Sequence, residues 1–207
     1  MRVELSQAER LPRNQGSRDQ SLRLRAGPRR GSGDDIKVDS IELPLDAEIG
    51  AELKRALDYW QAKRGDRLAP ARIDIEPLDL APLLPRVTLV DVSAEPLDFR
   101  YRLAGTGIFD IHGAELTNTR ACDLKPVPYG ALIHRHYAEA VERKAPLAHR
   151  LLLEVGGLRS SYLRIILPLS DDGGVINRLM TVESYQEDAQ SLQDCFAEVR
   201  TRCDGRA

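Results

Sequence analysis

Two histidines lie two residues apart on a segment with helical periodicity, and they are the first candidates for metal or acid–base chemistry. His134 and His136 belong to the stretch Tyr129–Lys144, whose apolar residues recur at helical spacing. On a helix, side chains two positions apart diverge by about 200°, so this pair cannot chelate one metal ion. His136 falls on the apolar stripe of the predicted helix, and we expect a hydrogen-bonded interior histidine there.

The remaining nucleophiles and bases do not form a catalytic set. Cys122, Cys195 and Cys203 include no CxxC pair, which argues against a disulfide framework and against a thiolate zinc site. Ser160 has no recognisable base partner, and no acid is positioned by sequence beside His149. We therefore predict no catalytic residues and no metal site.

A glycine pair after a predicted strand invites comparison with a nucleotide-binding loop. The next glycine after Gly105 and Gly107 is Gly113, so the GxGxxG spacing fails, and no parallel βαβ unit surrounds them. Neither a phosphate-binding GxxxxGK[ST] loop nor a GxSxG nucleophile elbow occurs. The sequence does not predict nucleotide binding.

Aromatic residues and two histidines are distributed so that they could line one small-molecule pocket. On the predicted strands and helix their positions face the interior, and tyrosine hydroxyls could orient a polar group of a ligand. The alternative is that they simply fill the core. The candidate pocket residues are Phe99, Tyr101, Tyr129, His136, Tyr137, His149 and Tyr162.

Composition and charge indicate one folded core preceded by a basic tail. The chain has 207 residues, 42% of them hydrophobic and 30% charged, and residues 1–33 contain eight arginines against three acids. This segment has few large apolar residues, so we predict a disordered tail. Contact of the tail with nucleic acid or anionic lipid is the less expected alternative. No apolar run has the length of a membrane span or a secretory signal, which predicts a cytoplasmic protein.

The folded part shows a helix, two strands, a helical middle and three further strands. Asp46 is placed as the N-cap of a helix that ends near Gly65, and a proline-rich irregular connection follows over 68–85. The predicted strands are 87–92, 99–103, 147–153, 162–169 and 175–182. Phe99, Tyr101 and Leu103 alternate with arginines, which predicts that all three face the core. The pattern favours an α+β fold, an antiparallel sheet with helices on one face.

At this point the chain resembles the PAS superfamily, and it is closest to a bacterial subfamily of stand-alone PAS proteins. The similarity spans about Leu45 to Tyr185. It rests on Tyr59-Trp60, the segment Arg72–Leu80, Leu83-Leu84-Pro85 leading into Leu89–Val92, Tyr101–Thr106, and Tyr185 after the last strand.

The resemblance implies a five-stranded antiparallel sheet of order 2-1-5-4-3, with helices on one face and further helices flanking the sheet. It divides the chain into a tail (1–33), an N-terminal flanking helix (34–66), a PAS-like domain (67–184) and a C-terminal amphipathic helix (185–207). It also implies a sensory fold that holds a small ligand or binds a partner. Some PAS haem sensors use a histidine on the corresponding helix as an axial ligand, so axial ligation of haem is the alternative role for His136. Flavin is not expected, because the surroundings of Cys122 lack the asparagine-cysteine-arginine pattern of flavin-binding relatives.

Two apolar stripes predict a homodimer. The candidate interface residues, at helical spacing, are Ile49, Leu53, Leu57 and Trp60 on the first helix and Leu192, Phe196 and Val199 on the last. In PAS proteins such flanking helices commonly pack across a two-fold axis. The alternative is that both helices fold back onto their own sheet and complete the core of a monomer.

The residues and the resemblance leave two hypotheses for function. The favoured one is a non-enzymatic sensory or regulatory module, which acts on a separate signalling protein because no output segment is recognised in this chain. The other is a small enzyme of unknown reaction that uses His136, His149 or Cys122 in the space between sheet and helices. The first is preferred because no nucleophile, base and orienting acid recur at a recognised spacing.

Overall fold

A computed structural model describes residues 36–46, 49–185 and 188–204, and the predicted tail lies outside these residues. The strands are β1 (Ile36–Leu43), β2 (Val87–Ala94), β3 (Leu97–Ala104), β4 (Leu147–Val155), β5 (Leu158–Leu169) and β6 (Arg178–Ser184). The α-helices are α1 (Gly50–Arg64), α2 (Thr106–His112), α3 (Val127–Arg143) and α4 (Ala189–Asp204). Short 3₁₀ turns at Arg72–Asp74, Pro77–Leu80 and Leu84–Arg86 form the proline-rich connection between α1 and β2.

The strands form one antiparallel sheet in the order β1-β4-β5-β6-β2-β3. If the five predicted strands are numbered along the chain, their order is 2-1-5-4-3, as expected. The sixth strand, β1, pairs with β4 from Ile36↔Val155 to Leu43↔Ala148. The prediction of a flanking helix over 34–66 is therefore wrong for its first part. Within β1, Ile36, Val38 and Ser40 are half-buried and alternate with exposed residues, the period of an edge strand.

The two faces of the sheet carry different helices. Leu163 and Ser184 are opposite each other on β5 and β6, and both lie against the start of α1, where Ser184 Oγ donates to Glu52 Oε2 over 2.7 Å. Arg164 and Glu183 are opposite each other one position along, so they point to the other face, which α3 and α4 cover. This second face, the inner face, contains the candidate pocket residues.

A β-bulge turns the end of β3 around. Leu89 pairs with Leu103, but the next residue, Val90, pairs with Tyr101, so Arg102 is an extra residue. Bulges of this kind rotate a strand locally. Phe99 and Tyr101 are buried as predicted. Leu103 instead pairs with Leu89 on the opposite side of the sheet, the outer face, and is 46% exposed. The prediction that Leu103 faces the core is therefore wrong.

Two predicted boundaries also differ from the structure. Helix α1 begins at Gly50, and Ile49 rather than the predicted Asp46 is at its N-cap position. Strand β6 begins at Arg178 rather than Val175, because Asp172 Oδ1 accepts hydrogen bonds from the backbone N–H groups of Gly174 and Val175 and holds a turn there.

The predicted dimer stripes are buried within one protomer. Helix α1 packs on the outer face through its stripe, and α4 packs against β4, β5 and α2. None of the seven residues exceeds 2% exposure: Ile49, Leu53, Leu57, Trp60, Leu192, Phe196 and Val199. These side chains have no surface left for a second copy, so their assignment to a dimer interface is corrected. Both apolar stripes therefore pack within their own protomer.

Candidate functional site

A fully buried arginine lies at the centre of the inner face. Arg164 on β5 has 0% exposure, and its register partners are His149 on β4 and Glu183 on β6. Its Nη2 donates to Nδ1 of His136 over 2.8 Å, and its Cζ lies 5.3 Å from the ring centroid of Tyr137. Its Nε and Nη1 find no hydrogen-bond partner among the described residues. Nε carries one N–H group and Nη1 carries two, so three N–H groups on these two atoms of a buried cation have no acceptor in the described part of the chain.

The two interior histidines stack on each other beside this arginine. The rings of His136 and His149 are 3.8 Å apart at 8° to each other. Burial, followed by the charge of Arg164, lowers the pKa of His136 to about 2 and that of His149 to about 4. Because Arg164 can only donate, Nδ1 of His136 accepts, and the proton of the neutral ring is on Nε2, 3.0 Å from Ser40 Oγ on β1.

Four tyrosines surround the guanidinium as two hydroxyl pairs. The hydroxyls of Tyr101 and Tyr137 are 3.0 Å apart, and those of Tyr129 and Tyr162 are 2.7 Å apart. Burial raises the pKa of each of these tyrosines. Burial acts to lower the pKa of Arg164, but the four phenol groups raise this pKa above the ordinary value for arginine. The arginine therefore keeps its charge in the core.

Glu183 is the carboxylate of this cluster. It is buried beside Arg164 and accepts a hydrogen bond from the Tyr185 hydroxyl over 2.8 Å. Burial raises its pKa to about 7, although the charge of Arg164 and the Tyr185 hydrogen bond act in the opposite direction. Near neutral pH this side chain exchanges a proton, which makes the cluster able to change its charge.

The structure brings the predicted pocket residues together but also shows which partners sequence reasoning missed. All seven predicted residues are buried on the inner face, with Phe99 edge-on to Tyr137 at 5.5 Å between ring centroids. Missed were Arg164, Glu183 and Ser40, together with the buried hydroxyl pair of Thr88 and Thr181, 2.6 Å apart. One signal was present in the sequence: Arg164 is a charged residue inside an apolar run, and it shares strand parity with Tyr162.

The other predicted chemical groups do not join this cluster. Cys122 lies half-buried on the 3₁₀ turn Ala121–Asp123, with its thiol 3.7 Å from the Asp123 carboxylate. The Ser160 hydroxyl is buried near the start of β5 without a partner among the described residues. Over the described part of the chain, no group of three or more His, Cys, Asp or Glu side chains is placed to hold a metal ion.

His136 does not fit the role of an axial haem ligand. An axial histidine presents a free ring nitrogen to iron. Here Nδ1 accepts from Arg164 and Nε2 is bonded to Ser40, so both ring nitrogens are already engaged.

Comparison with known proteins identifies the family. An antiparallel sheet of this order with helices packed on it is the architecture of a PAS domain, and a PAS domain family model matches residues 50–182. The chain belongs to the PAS domain family. PAS domains are typically non-enzymatic sensory domains, which indicates a sensory or regulatory role in general terms. No curated protein matches the chain. None of the helices in the described residues is both long and apolar enough to cross a membrane.

Proposed function

We propose that this protein is a sensory or regulatory PAS module that binds a small carboxylate at the Arg164 cluster. The observation that carries the proposal is the fully buried guanidinium whose Nε and Nη1 have no acceptor among the described residues. Leaving charged donors unpaired in a protein interior costs several kcal/mol. A carboxylate oxygen supplies both the acceptor and the countercharge, and charge-assisted hydrogen bonds of this type are the strong ones.

The surrounding groups support a ligand that carries further polar atoms. The hydroxyls of each tyrosine pair bond to each other at 2.7 and 3.0 Å, and that of Tyr137 also bonds to the Thr181 side chain. Each of these hydroxyl partners can be exchanged for a ligand oxygen at little net cost. Entry of a ligand requires these rings to move apart. The proposed binding residues are those predicted from sequence, namely Phe99, Tyr101, Tyr129, His136, Tyr137, His149 and Tyr162, together with Arg164.

The hydrogen bonds of His136 offer a route by which binding reaches the rest of the domain. The imidazole joins β5 through Arg164 and β1 through Ser40, and it belongs to α3. A ligand that draws Arg164 away weakens the contact to His136 and hence the attachment of β1. The proposed output is a changed surface at β1 and α3, read by a separate signalling protein.

The test is calorimetric titration of the full chain with acetate, succinate and inorganic phosphate. We expect saturable binding of a carboxylate, and its loss in Arg164→Met, which removes the charge while filling a similar volume. Arg178→Met is the matched control, because Arg178 is a half-exposed arginine of β6 that pairs with Asp91 and Asp171 away from the cluster. Native mass spectrometry of the freshly purified protein gives a second readout, a co-purified small acid.

Two results would contradict the proposal. One is the absence of saturable heat with all three anions at millimolar concentration. The other is a high-resolution crystal structure in which ordered waters alone occupy the positions next to Nε and Nη1 of Arg164, since buried water is the competing way to satisfy these donors.

Binding is proposed in preference to catalysis. The hydrogen bonds of His136 occupy both of its ring nitrogens. Burial and the charge of Arg164 lower the pKa of His149 to about 4, so its ring is a weak proton acceptor at physiological pH. A general base needs a free lone pair within reach of a substrate proton. The cytoplasmic location predicted from the sequence remains part of this proposal.

We also retain the homodimer, with a different interface. Strand β1 is bonded to β4 on one side, and no described residue pairs with its other edge. Such an edge can accept a strand from a second copy. Light scattering at tens of micromolar tests this, and a monomeric mass overturns it.

A further inference from the structure

The outer face of the sheet carries a cleft that is separate from the Arg164 cluster. Its floor is a row of three cross-strand neighbours, Leu103 on β3, Leu89 on β2 and Met180 on β6. The 3₁₀ turns of the proline-rich connection form its wall, with Ile75 and Leu80 among the lining residues. The cleft measures about 510 Å³, within the range of about 300–1000 Å³ typical of small-molecule sites.

The lining is aliphatic, with a single charged residue. Arg72 lines the cleft and is half-buried. Its Nη1 donates to the Ile75 carbonyl over 3.1 Å, and no carboxylate in the described part of the chain lies within salt-bridge distance of its guanidinium. Asp171 accepts from the backbone N–H of Arg72 but directs its charge to Arg178. Arg72 therefore has guanidinium donors available for an anion.

The β-bulge in β3 creates part of this surface. By rotating the end of the strand, it places Leu103 on the outer face at 46% exposure. Leu84, at the edge of the same cleft, is also exposed. Large apolar side chains around a concavity favour a ligand that is mostly hydrocarbon.

We propose that this outer cleft binds an amphipathic carboxylate, such as a medium-chain fatty acid, with its acyl chain along Leu89, Leu103 and Met180 and its carboxylate at Arg72. The complementary charge of Arg72 selects an acid over a neutral lipid. The site is distinct from the small-carboxylate site of the inner face and does not depend on it.

The test is calorimetric titration with octanoate, decanoate and 1-decanol below their aggregation limits. Each buried methylene is expected to tighten binding about fourfold, so decanoate should bind about fifteenfold more tightly than octanoate. Arg72→Gln should weaken decanoate about tenfold and leave 1-decanol unchanged. Leu103→Gln should weaken both ligands, and because Leu103 is already half exposed the fold should persist by circular dichroism.

Matched control variants distinguish binding at this cleft from binding at the inner face or at exposed leucines in general. Leu97→Gln changes a leucine of the same strand with similar exposure, 39%, that does not line the cleft, and should leave both affinities unchanged. Saturating succinate, which would occupy the inner face, should also leave decanoate binding unchanged, and displacement of decanoate by succinate would overturn the assignment to the outer face. Equal binding of decanoate and 1-decanol, or no effect of Leu103→Gln, also overturns the proposal. A dimer that becomes monomeric in Leu103→Gln without ligand would instead assign the cleft to a second copy.

Discussion

Arg164 donates a hydrogen bond of 2.8 Å from Nη2 to Nδ1 of His136, and both side chains are buried on the inner face of the sheet. A cation here is paired with a neutral imidazole rather than with a carboxylate. The bond requires an unprotonated Nδ1, and the other ring nitrogen contacts Ser40. One proton on His136 would place two cations in contact and break the link between β5 and α3.

The first prediction is that acid destabilises the fold through its buried histidines. Burial lowers the folded-state pKa of His136 to about 2, of His112 to about 3 and of His149 to about 4. Below the unfolded-state pKa of about 6.5 only the unfolded chain takes up these protons, so the free energy of unfolding decreases as the pH decreases. Each histidine contributes about 1.4 kcal/mol per pH unit between roughly pH 6 and its folded pKa. Urea unfolding at several pH values measures the slope, which should decrease by one proton in His136→Gln; an unchanged slope would contradict this.

The second prediction concerns Glu183, whose pH dependence has the opposite sign. Burial raises its folded-state pKa to about 7, above an unfolded value near 4.5. The folded protein holds a proton that the unfolded chain has lost, so this contribution is present below about pH 4.5 and is lost as pH rises to 7. The loss amounts to about 3 kcal/mol. The free energy of unfolding of Glu183→Gln, relative to that of the wild type, should therefore be larger at pH 8 than at pH 5. The same difference at both pH values would refute the cause given.

The third prediction concerns helix α4. Leu192 and Phe196 are buried in the protomer, so changing both to glutamate should unfold the domain rather than dissociate a dimer. Two unpaired carboxylates in the core destabilise a fold by more than most substitutions do. We therefore expect the free energy of unfolding to fall by more than about 4 kcal/mol. Ala197→Glu, on the exposed side of the same helix, is the control and should change stability by less than about 0.5 kcal/mol. A folded double variant, seen by circular dichroism, would argue against this packing.

The fourth prediction tests how α3 is positioned. A Cβ on Gly130 would lie 2.7 Å from the Leu124 carbonyl oxygen and 2.8 Å from that of Cys122, so the glycine lets the helix approach the preceding turn beside Tyr129. Gly130→Ala should cost about 1–3 kcal/mol. Gly174→Ala introduces only an ordinary contact, at 3.8 Å from Asp172, and should be nearly neutral. Thermal unfolding of both variants makes the comparison, and equal midpoints would be evidence against the close approach.

The residues that a local pattern controls were predicted well. Hairpin-length connections and alternation predicted the strands, the resemblance to PAS proteins implied their order, and the helical stripe of Tyr129–Lys144 placed Tyr137 and His136 on the inner face. Local pattern failed where a tertiary contact decides. Strand β1 exists because the edge of β4 offers it eight register pairs, from Ile36 to Leu43, and its own weak alternation did not reveal that partner.

By itself, the sequence determined the fold class and the aromatic set of the inner face through the spacing of apolar residues along single elements, and it indicated the family through its resemblance to PAS proteins. Only the tertiary structure decided three things: that the stripes of Leu53 and Leu192 cover their own sheet, that a bulge turns Leu103 outward, and that Arg164 is buried among tyrosines and histidines. Each depends on which strand or helix lies opposite a given side chain. That pairing joins residues far apart in the chain, and no local periodicity encodes it.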